Sequence, residues 1–157
     1  MKARVYIETS VVSYATARPS RDLIVAARQE ITRERWERIL AEFDCYVSAL
    51  VMQEAEGGNR DAAASRISAI MGLPVLQIDE VAEALAQSLI DDGAIPEQKP
   101  EDALHIALAA RDGIDYLLTW NFTHIHNARM ELAIRHIVER FGYQCPVFCS
   151  PDELIGE

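Results

Sequence analysis

The sequence has no long hydrophobic run, although half of its 157 residues are apolar. No apolar stretch approaches the ~20 residues that a membrane-spanning helix requires. The first ten residues, MKARVYIETS, do not resemble a secretory signal, because their apolar stretch is short and Glu8 interrupts it. We therefore expect a cytoplasmic protein with no membrane partner.

Cysteine is scarce, and its number is odd. The three cysteines, Cys45, Cys145 and Cys149, come without a secretory context, so we expect reduced thiols rather than a disulfide framework. Two of them lie in the segment CPVFC, whose spacing differs from the C-x₂-C of a zinc knuckle. A structural zinc site is therefore not expected in this segment.

Several organising patterns are also missing from the sequence. It has no glycine-rich phosphate loop, no dinucleotide-binding pattern, no internal repeat, no low-complexity tract and no long linker. A chain of this length is sufficient to bury one hydrophobic core. We therefore expect residues 1–157 to form a single domain.

The sequence has fewer basic than acidic residues, 15 against 25, and its formal net charge is −10. This excess of acid argues against a polyanionic partner unless the charge is unevenly spread. Residues 1–66 hold ten Lys or Arg and ten Asp or Glu, so residues 67–157 carry the whole excess. Basic residues of the first half cluster at Arg18, Arg21, Arg28, Arg33, Arg35 and Arg38. They form either an approach surface for a polyanion or one side of a solvated helix, since Glu30, Glu34 and Glu37 are interleaved at helical spacing.

Short apolar runs alternate with helical patterns along the chain. The apolar runs predict strands at Arg4–Ile7, Tyr46–Val47, Val75–Ile78, Tyr116–Thr119 and Val147–Cys149. Apolar residues at three- and four-residue steps predict a helix at Leu23–Glu42. Further helices are predicted at Leu50–Glu56, Asp61–Met71, Val81–Ile90, Pro100–Arg111 and Ala128–Phe141, several of them bounded by a capping residue, glycine or proline. A turn or short helix capped by Ser10 is predicted at Ser10–Tyr14, and a final turn opens at Ser150. The alternation predicts an α/β domain whose parallel sheet is covered by helices on both faces.

Four polar side chains occupy positions from which strands or helices would aim them at one pocket. Glu8 and Asn121 each follow a predicted strand, Glu54 lies near the end of a short helix, and Asp102 lies in the first turn of another. Open α/β sheets place their ligand sites at the carboxyl ends of strands. Three carboxylates and an amide meeting there would bind a hard divalent cation such as Mg²⁺.

Each of these four residues also has an ordinary structural explanation. Glu8 would suit a salt bridge at a strand end, and Glu54 would suit the exposed side of a helix. The helix dipole favours an acid such as Asp102 in the first turn. Asparagine after a strand, as at Asn121, is frequently part of a turn. From the residues alone, both explanations stay open.

The face that Asp102 occupies on the helix beginning at Pro100 favours a role in the site. Asp102 shares its side of the helix with Ile106 and Ala109, a side that is apolar. Glu101 aligns instead with His105. We therefore expect Asp102 to point inward or into a cleft and Glu101 to point outward.

Hydroxyl and imidazole groups border the four candidates. Thr9, Ser10 and Thr119 would either hydrogen-bond a ligating carboxylate and hold its orientation or cap local turns. His124 and His126 form an H-x-H pair, a weak indication of a transition metal without a third ligand at a matching spacing.

Four segments, taken in order, resemble the motifs of the PIN domain family and more narrowly of the VapC-like toxins. The opening YIETS resembles the family's strand that ends in D-T-S/N, and SALVMQE resembles its second acidic segment. EDALHIALAA resembles the third, where a helix begins with the metal-binding Asp, and LLTWNF resembles the closing T-x-D/N. The resemblance covers nearly the whole chain.

This resemblance implies a three-layer α/β/α sandwich with a mainly parallel central sheet. It implies an endoribonuclease that hydrolyses RNA phosphodiester bonds with Mg²⁺ or Mn²⁺. Carried over by position, the catalytic metal ligands are Glu8, Glu54, Asp102 and Asn121. It further implies the toxin of a type II toxin–antitoxin pair, which forms a homodimer and is neutralised by a small antitoxin protein.

Two positions depart from the family's pattern. Glu8 stands where Asp is usual, and Asn121 stands where Asp is common, so one negative charge is missing. Two alternatives therefore stay open. One is a PIN-like module that binds nucleic acid or protein without cleavage, and the other is a different Mg²⁺-dependent phosphate enzyme on an α/β fold.

Overall fold

A computed structural model describes residues 1–156 of the chain. The strands are β1 (Arg4–Ile7), β2 (Asp44–Ser48), β3 (Val75–Leu76), β4 (Tyr116–Leu118) and β5 (Val147–Cys149). The helices of the first half are α1 (Thr9–Thr16), α2 (Leu23–Glu42), α3 (Ala49–Ala55) and α4 (Arg60–Ile70). Those of the second half are α5 (Glu80–Asp91), α6 (Pro100–Arg111), α7 (Ala128–Arg140) and α8 (Pro151–Leu154).

The five strands form one sheet in the order β3-β2-β1-β4-β5, and every pairing between neighbours is parallel. Helices α5, α6 and α7 pack together, and α1 packs against α2, α3 and α4. The sheet lies between these helices in an α/β/α arrangement, as predicted. The alternation of apolar runs with helical patterns therefore predicted the fold class correctly.

Strand β1 lies at the centre of the sheet, between β2 and β4. Val5, Tyr6 and Ile7 have no exposed surface, as expected for a strand covered on both faces. Ile7 lies beside Leu118 in the register of β1 and β4. The residues that follow these two strands therefore emerge side by side at one edge of the sheet.

Some element boundaries differ from the predicted ones, and local capping explains two of them. Helix α1 begins at Thr9 because Glu8, not Ser10, is its cap: the Glu8 carboxylate accepts a hydrogen bond from the Ser10 N–H. The predicted final turn is the short helix α8, which Ser150 and Glu153 begin with a reciprocal capping box. Strand β3 ends at Leu76, two residues earlier than predicted.

The three cysteines are buried and free. Burial raises the pKa of the Cys45 and Cys145 thiols to about 11 and that of Cys149 to about 12. Raised values make these thiols poor nucleophiles and poor metal ligands. In residues 1–156, no helix is both long and apolar enough to cross a membrane.

Replacing Leu117 with Ala tests the burial of β4, which lies between β1 and β5 in the sheet. Leu117 has no exposed surface, so we expect Leu117→Ala to lower the free energy of unfolding by about 2–5 kcal/mol, measured by urea denaturation. The matched control is Leu132→Ala on α7, where the side chain is 79% exposed and the expected change is below about 0.5 kcal/mol. Equal losses in the two variants would contradict the described core.

Candidate metal centre

The site forms where β1 and β4 end side by side. The backbone N–H of Glu8 donates to the carbonyl oxygen of Leu118 at 3.0 Å, which continues the parallel ladder past Ile7. Glu8 and Thr119 are therefore neighbours at the carboxyl edge of the sheet. This is the edge at which open α/β sheets bind their ligands.

Glu8 is a buried carboxylate that is held by three donors. Within residues 1–156 it is the one acidic residue that is buried, with 6% of the residue exposed. Oε1 accepts hydrogen bonds from the Thr119 hydroxyl at 2.6 Å and from the Ser10 hydroxyl, and Oε2 accepts the Ser10 N–H at 3.1 Å. These donors offset part of the cost of burying the charge and fix its orientation.

Glu54 approaches Glu8 from the end of α3. Its Oε1 accepts a 2.6 Å hydrogen bond from the Thr9 hydroxyl, and Thr9 directly follows Glu8 in the chain. The side chain of Glu54 is 31% exposed, so this carboxylate faces solvent on one side. The three hydroxyls that the sequence suggested as supports, Thr9, Ser10 and Thr119, all donate to one of these two glutamates.

His105 completes this cluster, and sequence reasoning missed it. Its Nε2 lies 2.7 Å from Glu54 Oε1 and 4.0 Å from Glu8 Oε2, and the residue is only 1% exposed. Glu101 is exposed, as expected, but His105, which aligns with it on the helix, is buried. Residues 105–110 of α6 are all buried, so this part of the helix has no solvent-facing side for His105 to occupy.

The charges of the cluster shift the pKa of His105 upward. Burial alone would lower that pKa, but the hydrogen bond to Glu54 and the negative charges of Glu8, Glu54 and Asp102 outweigh burial and raise it. For Glu54, burial alone would raise the pKa, but the hydrogen bond and charge of His105 and the Thr9 hydroxyl lower it. The imidazole and the carboxylates therefore stabilise each other's charged forms.

Asp102 and Asn121 meet a short distance along the same edge. Asn121 donates from Nδ2 to Asp102 Oδ1 at 3.1 Å, and His124 Nδ1 lies 3.0 Å from Asp102 Oδ2. Asn121 Oδ1 accepts the backbone N–H groups of Thr123 and His124. The amide oxygen therefore closes the loop after β4, while the amide nitrogen orients Asp102.

A cleft opens over this second pair. Glu54, Asp102 and Asn121 line it together, so three of the four predicted site residues share one surface depression. Glu8 lies behind them, in contact with the cluster through His105. The remaining lining residues are Lys99, Glu101, Thr123 and His124.

The donor set of the buried cluster fits a divalent cation. One carboxylate oxygen each from Glu8 and Glu54 and one nitrogen of His105 lie within 4.8 Å of one another. Two anionic oxygens and an imidazole nitrogen are ligands that divalent metals accept. Asp102 adds charge from one turn earlier on α6. That the four residues predicted from the sequence bind a metal together stays a prediction.

The H-x-H pair does not converge on one ligand. His124 lies against Asp102, whereas His126 Nε2 lies 2.8 Å from Glu153 Oε1 near the start of α8. The two imidazoles therefore serve different carboxylates. His124 belongs to the cleft, and His126 joins the loop after β4 to α8.

Of the clustered arginines, Arg28 approaches the site. Its guanidinium lies over the rings of Trp120, at 5.4 Å, and Phe122, at 4.8 Å, which flank Asn121 on both sides. The Trp120 indole is itself fixed, because its Nε1 donates to Thr32 Oγ1 at 2.8 Å. Other members of the cluster pair with acids of α2, as Arg33 does with Glu30 and Arg38 with Glu42.

Replacing Thr119 with Val tests the support of Glu8. Thr119 Oγ1 donates to Glu8 and accepts the N–H of Asn121, and the residue is fully buried, so two hydrogen bonds are lost without a change of shape. We expect Thr119→Val to lower the free energy of unfolding in the presence of a chelator by about 1–3 kcal/mol. Thr123→Val, at an exposed position, is the control. Equal free energies of unfolding for the two variants would contradict the role of Thr119 in supporting Glu8.

Comparison with known proteins identifies the fold. No protein-family model matches the chain, and no curated protein does. One similar solved structure is VapC20 from Mycobacterium tuberculosis, a toxin that cleaves the sarcin–ricin loop. Its sequence is 15% identical and the TM-score is 0.59; the match covers 82% of this chain and 94% of VapC20. Another is VapBC2 from Rickettsia felis, bound to a DNA fragment from the VapBC2 promoter. It is 13% identical with a TM-score of 0.56, and the match covers 94% of this chain and 98% of the other. The chain therefore has the PIN-like α/β fold of the VapC toxins.

Proposed function

We propose that the protein is a metal-dependent endoribonuclease, the toxin of a type II toxin–antitoxin pair. The observation that carries the proposal is the gathering of acids at the carboxyl edge of a VapC-like sheet. Glu8 and Glu54 approach His105 from two elements, and Asp102 lies in the adjoining cleft. Burying such a concentration of negative charge is costly unless a cation or its equivalent is bound there.

A divalent cation, Mg²⁺ or Mn²⁺, suits this position. Glu8, Glu54 and Asp102 are the residues that would hold it, with Asn121 fixing the direction of Asp102. When bound, such an ion supplies a water of lowered pKa and polarises a phosphoryl oxygen. It also offsets the repulsion between these acids and the phosphates of RNA.

The protein's own groups position the reactants. Glu8 is fixed by Ser10 and Thr119, so its orientation does not have to be ordered when substrate arrives. Both hydrogen bonds described for Glu54 go to Oε1, and Oε2 is the oxygen that would accept a proton from the attacking water. The partly exposed position of Glu54 gives that water a route from solvent.

Two basic residues offer an approach for the polyanion despite the net charge of −10. Lys99 is exposed and lines the cleft beside Asp102. Arg28 stacks on Phe122, which is 36% exposed and adjacent to Asn121. A guanidinium on an exposed aromatic ring is a surface on which an unpaired base and its phosphate can both bind.

The partners follow from the same proposal. As a VapC-like toxin, the protein would act on cellular RNA in the cytoplasm, form a homodimer and be neutralised by a small antitoxin. The acid-rich cleft suits a basic antitoxin segment. Leu23 and Ile24 at the start of α2 are 86% and 65% exposed, and they are apolar surface that association would bury.

Carboxylate substitutions test the catalytic part of the proposal. We expect Asp102→Asn and Glu54→Gln to lower the rate of single-stranded RNA cleavage in Mn²⁺ by ~100-fold or more, because metal binding and water activation are both impaired. Glu56→Gln is the matched control, since Glu56 is exposed and lies two residues beyond Glu54. The wild-type protein in excess chelator should show no cleavage.

Three results would decide against a metal-dependent nuclease. They are full cleavage in chelator, equal loss in Glu54→Gln and Glu56→Gln, and RNA binding by the wild type without cleavage in either Mg²⁺ or Mn²⁺. The last result would support the alternative of a binding module. The alternative is motivated by Asn121, whose amide contributes no negative charge and directs its nitrogen toward Asp102.

Substitution of Arg28 tests the approach surface. We expect Arg28→Ala to raise the KM for RNA several-fold with little change in kcat, because the guanidinium is placed to contact substrate rather than the reacting phosphate. Arg38→Ala removes the same charge from the same helix, at a residue that pairs with Glu42, and should leave KM near the wild-type value. Equal effects of the two substitutions would indicate a general charge effect only.

A further inference from the structure

We infer that His105 binds the metal through Nε2 and that this nitrogen makes the site prefer Mn²⁺ to Mg²⁺. The inference rests on the metal site of the proposed function and adds a ligand to those that the family resemblance implies. It is carried by the position of the imidazole among the carboxylates, by the hydrogen bond on its other nitrogen and by the balance of charge.

The imidazole occupies a ligand position in the buried cluster. Its Nε2 is directed at the carboxylates, 2.7 Å from Glu54 Oε1 and 4.0 Å from Glu8 Oε2. These atoms are close enough together for a single ion to contact all three. Asp102 lies one turn earlier on the same helix as His105, on the side of the cleft.

The other ring nitrogen is engaged in a way that leaves Nε2 to the metal. Nδ1 of His105 lies 2.7 Å from the hydroxyl of Tyr6, which lies 2.8 Å from Ser48 Oγ. When Nδ1 donates to Tyr6, the Tyr6 hydroxyl donates onward to Ser48. Without metal, Nε2 donates to Glu54, and a bound cation would replace that proton and take the Nε2 lone pair. Metal-binding histidines generally have this kind of partner on the nitrogen that does not bind the metal.

The hydrogen bonds also make the ring immobile. Ser48 Oγ accepts the N–H of Val51 and so caps α3, the helix that carries Glu54. Tyr6 and Ser48 are completely buried, and the Tyr6 and His105 rings meet edge to face at 5.8 Å. Contacts with β1, with the end of β2 and with the start of α3 therefore fix the orientation of His105.

The charges balance when the ligand is a neutral imidazole. Glu8 and Glu54 together carry two negative charges, which a divalent cation compensates while the histidine adds none. Glu8 and His105 are both buried, so an uncompensated charge at this depth would be costly. The two carboxylates and the imidazole of the cluster thus match a doubly charged ion, and Asp102 in the adjoining cleft adds further negative charge.

The nitrogen ligand discriminates between metals. Mg²⁺ prefers oxygen ligands and retains several waters, whereas imidazole binds first-row transition ions. Mn²⁺ accepts both carboxylate oxygen and imidazole nitrogen. A site with His105 in it should therefore bind Mn²⁺ more tightly than Mg²⁺, and loss of His105 should remove most of that preference.

Pulsed electron paramagnetic resonance of Mn²⁺ bound to the protein tests the inference. Coupling of the ion to a directly bound ¹⁴N is expected in the wild type. The chain has four histidines, and His124, beside Asp102, is the other one in the cleft. The coupling should be lost in His105→Gln and retained in His124→Gln.

A second variant guards against misfolding of His105→Gln. Tyr6→Phe removes the partner of Nδ1 but keeps the ring that packs in the core. It should retain the ¹⁴N coupling and weaken Mn²⁺ binding, measured by calorimetry, by about 10- to 100-fold. Unchanged Mn²⁺ affinity in Tyr6→Phe would contradict the role given to this hydrogen bond.

The outcomes separate this inference from the proposed function. Mn²⁺ that supports RNA cleavage but shows no ¹⁴N coupling in the wild type would overturn the role of His105 and leave the nuclease standing. Coupling that survives in His105→Gln and disappears in His124→Gln would likewise overturn it. A wild-type protein that binds neither Mn²⁺ nor Mg²⁺ would overturn both.

Discussion

The burial of the Glu8 carboxylate is the constraint on which the rest of the site depends. A charge at the end of a central strand would oppose folding if it had no partners. Ser10 and Thr119 supply them, and in doing so they join the start of α1 to the end of β4. The same contacts that make the buried charge tolerable also give it a single orientation. Stability and readiness for a ligand therefore have the same origin here.

His105 extends this constraint to the other elements. It connects Glu54 on α3 with Tyr6 on β1, and through Tyr6 it connects with Ser48 at the end of β2. Three carboxylates, including Asp102, act on the one imidazole and raise its pKa. The imidazole in turn holds negative groups together that would otherwise repel each other. The geometry of the cluster is thus maintained by mutual attraction in the protein itself.

The sequence predicted the site best where a local pattern determines where a side chain points. Glu8 at a strand end, and the three hydroxyls beside the glutamates, follow from strand alternation and nearness in sequence. The burial of His105 did not follow, because a helix with one apolar side was assumed and this part of α6 is enclosed all round. A continuous stretch of Ala, Leu and Ile around His105 was the signal available. The orientation of Asn121 depended on two backbone groups of its own loop, which no pattern of residue types specifies.

The central claim is that Glu8, Glu54 and His105 form one cation site at the carboxyl edge of the sheet. A crystal structure determined in the presence of Mn²⁺, with anomalous scattering recorded to locate the ion, tests it most directly. The account predicts an anomalous peak at coordination distance from one oxygen of each glutamate and from His105 Nε2. No peak at this position, with Nε2 still hydrogen-bonded to Glu54 as it is at 2.7 Å here, would contradict it.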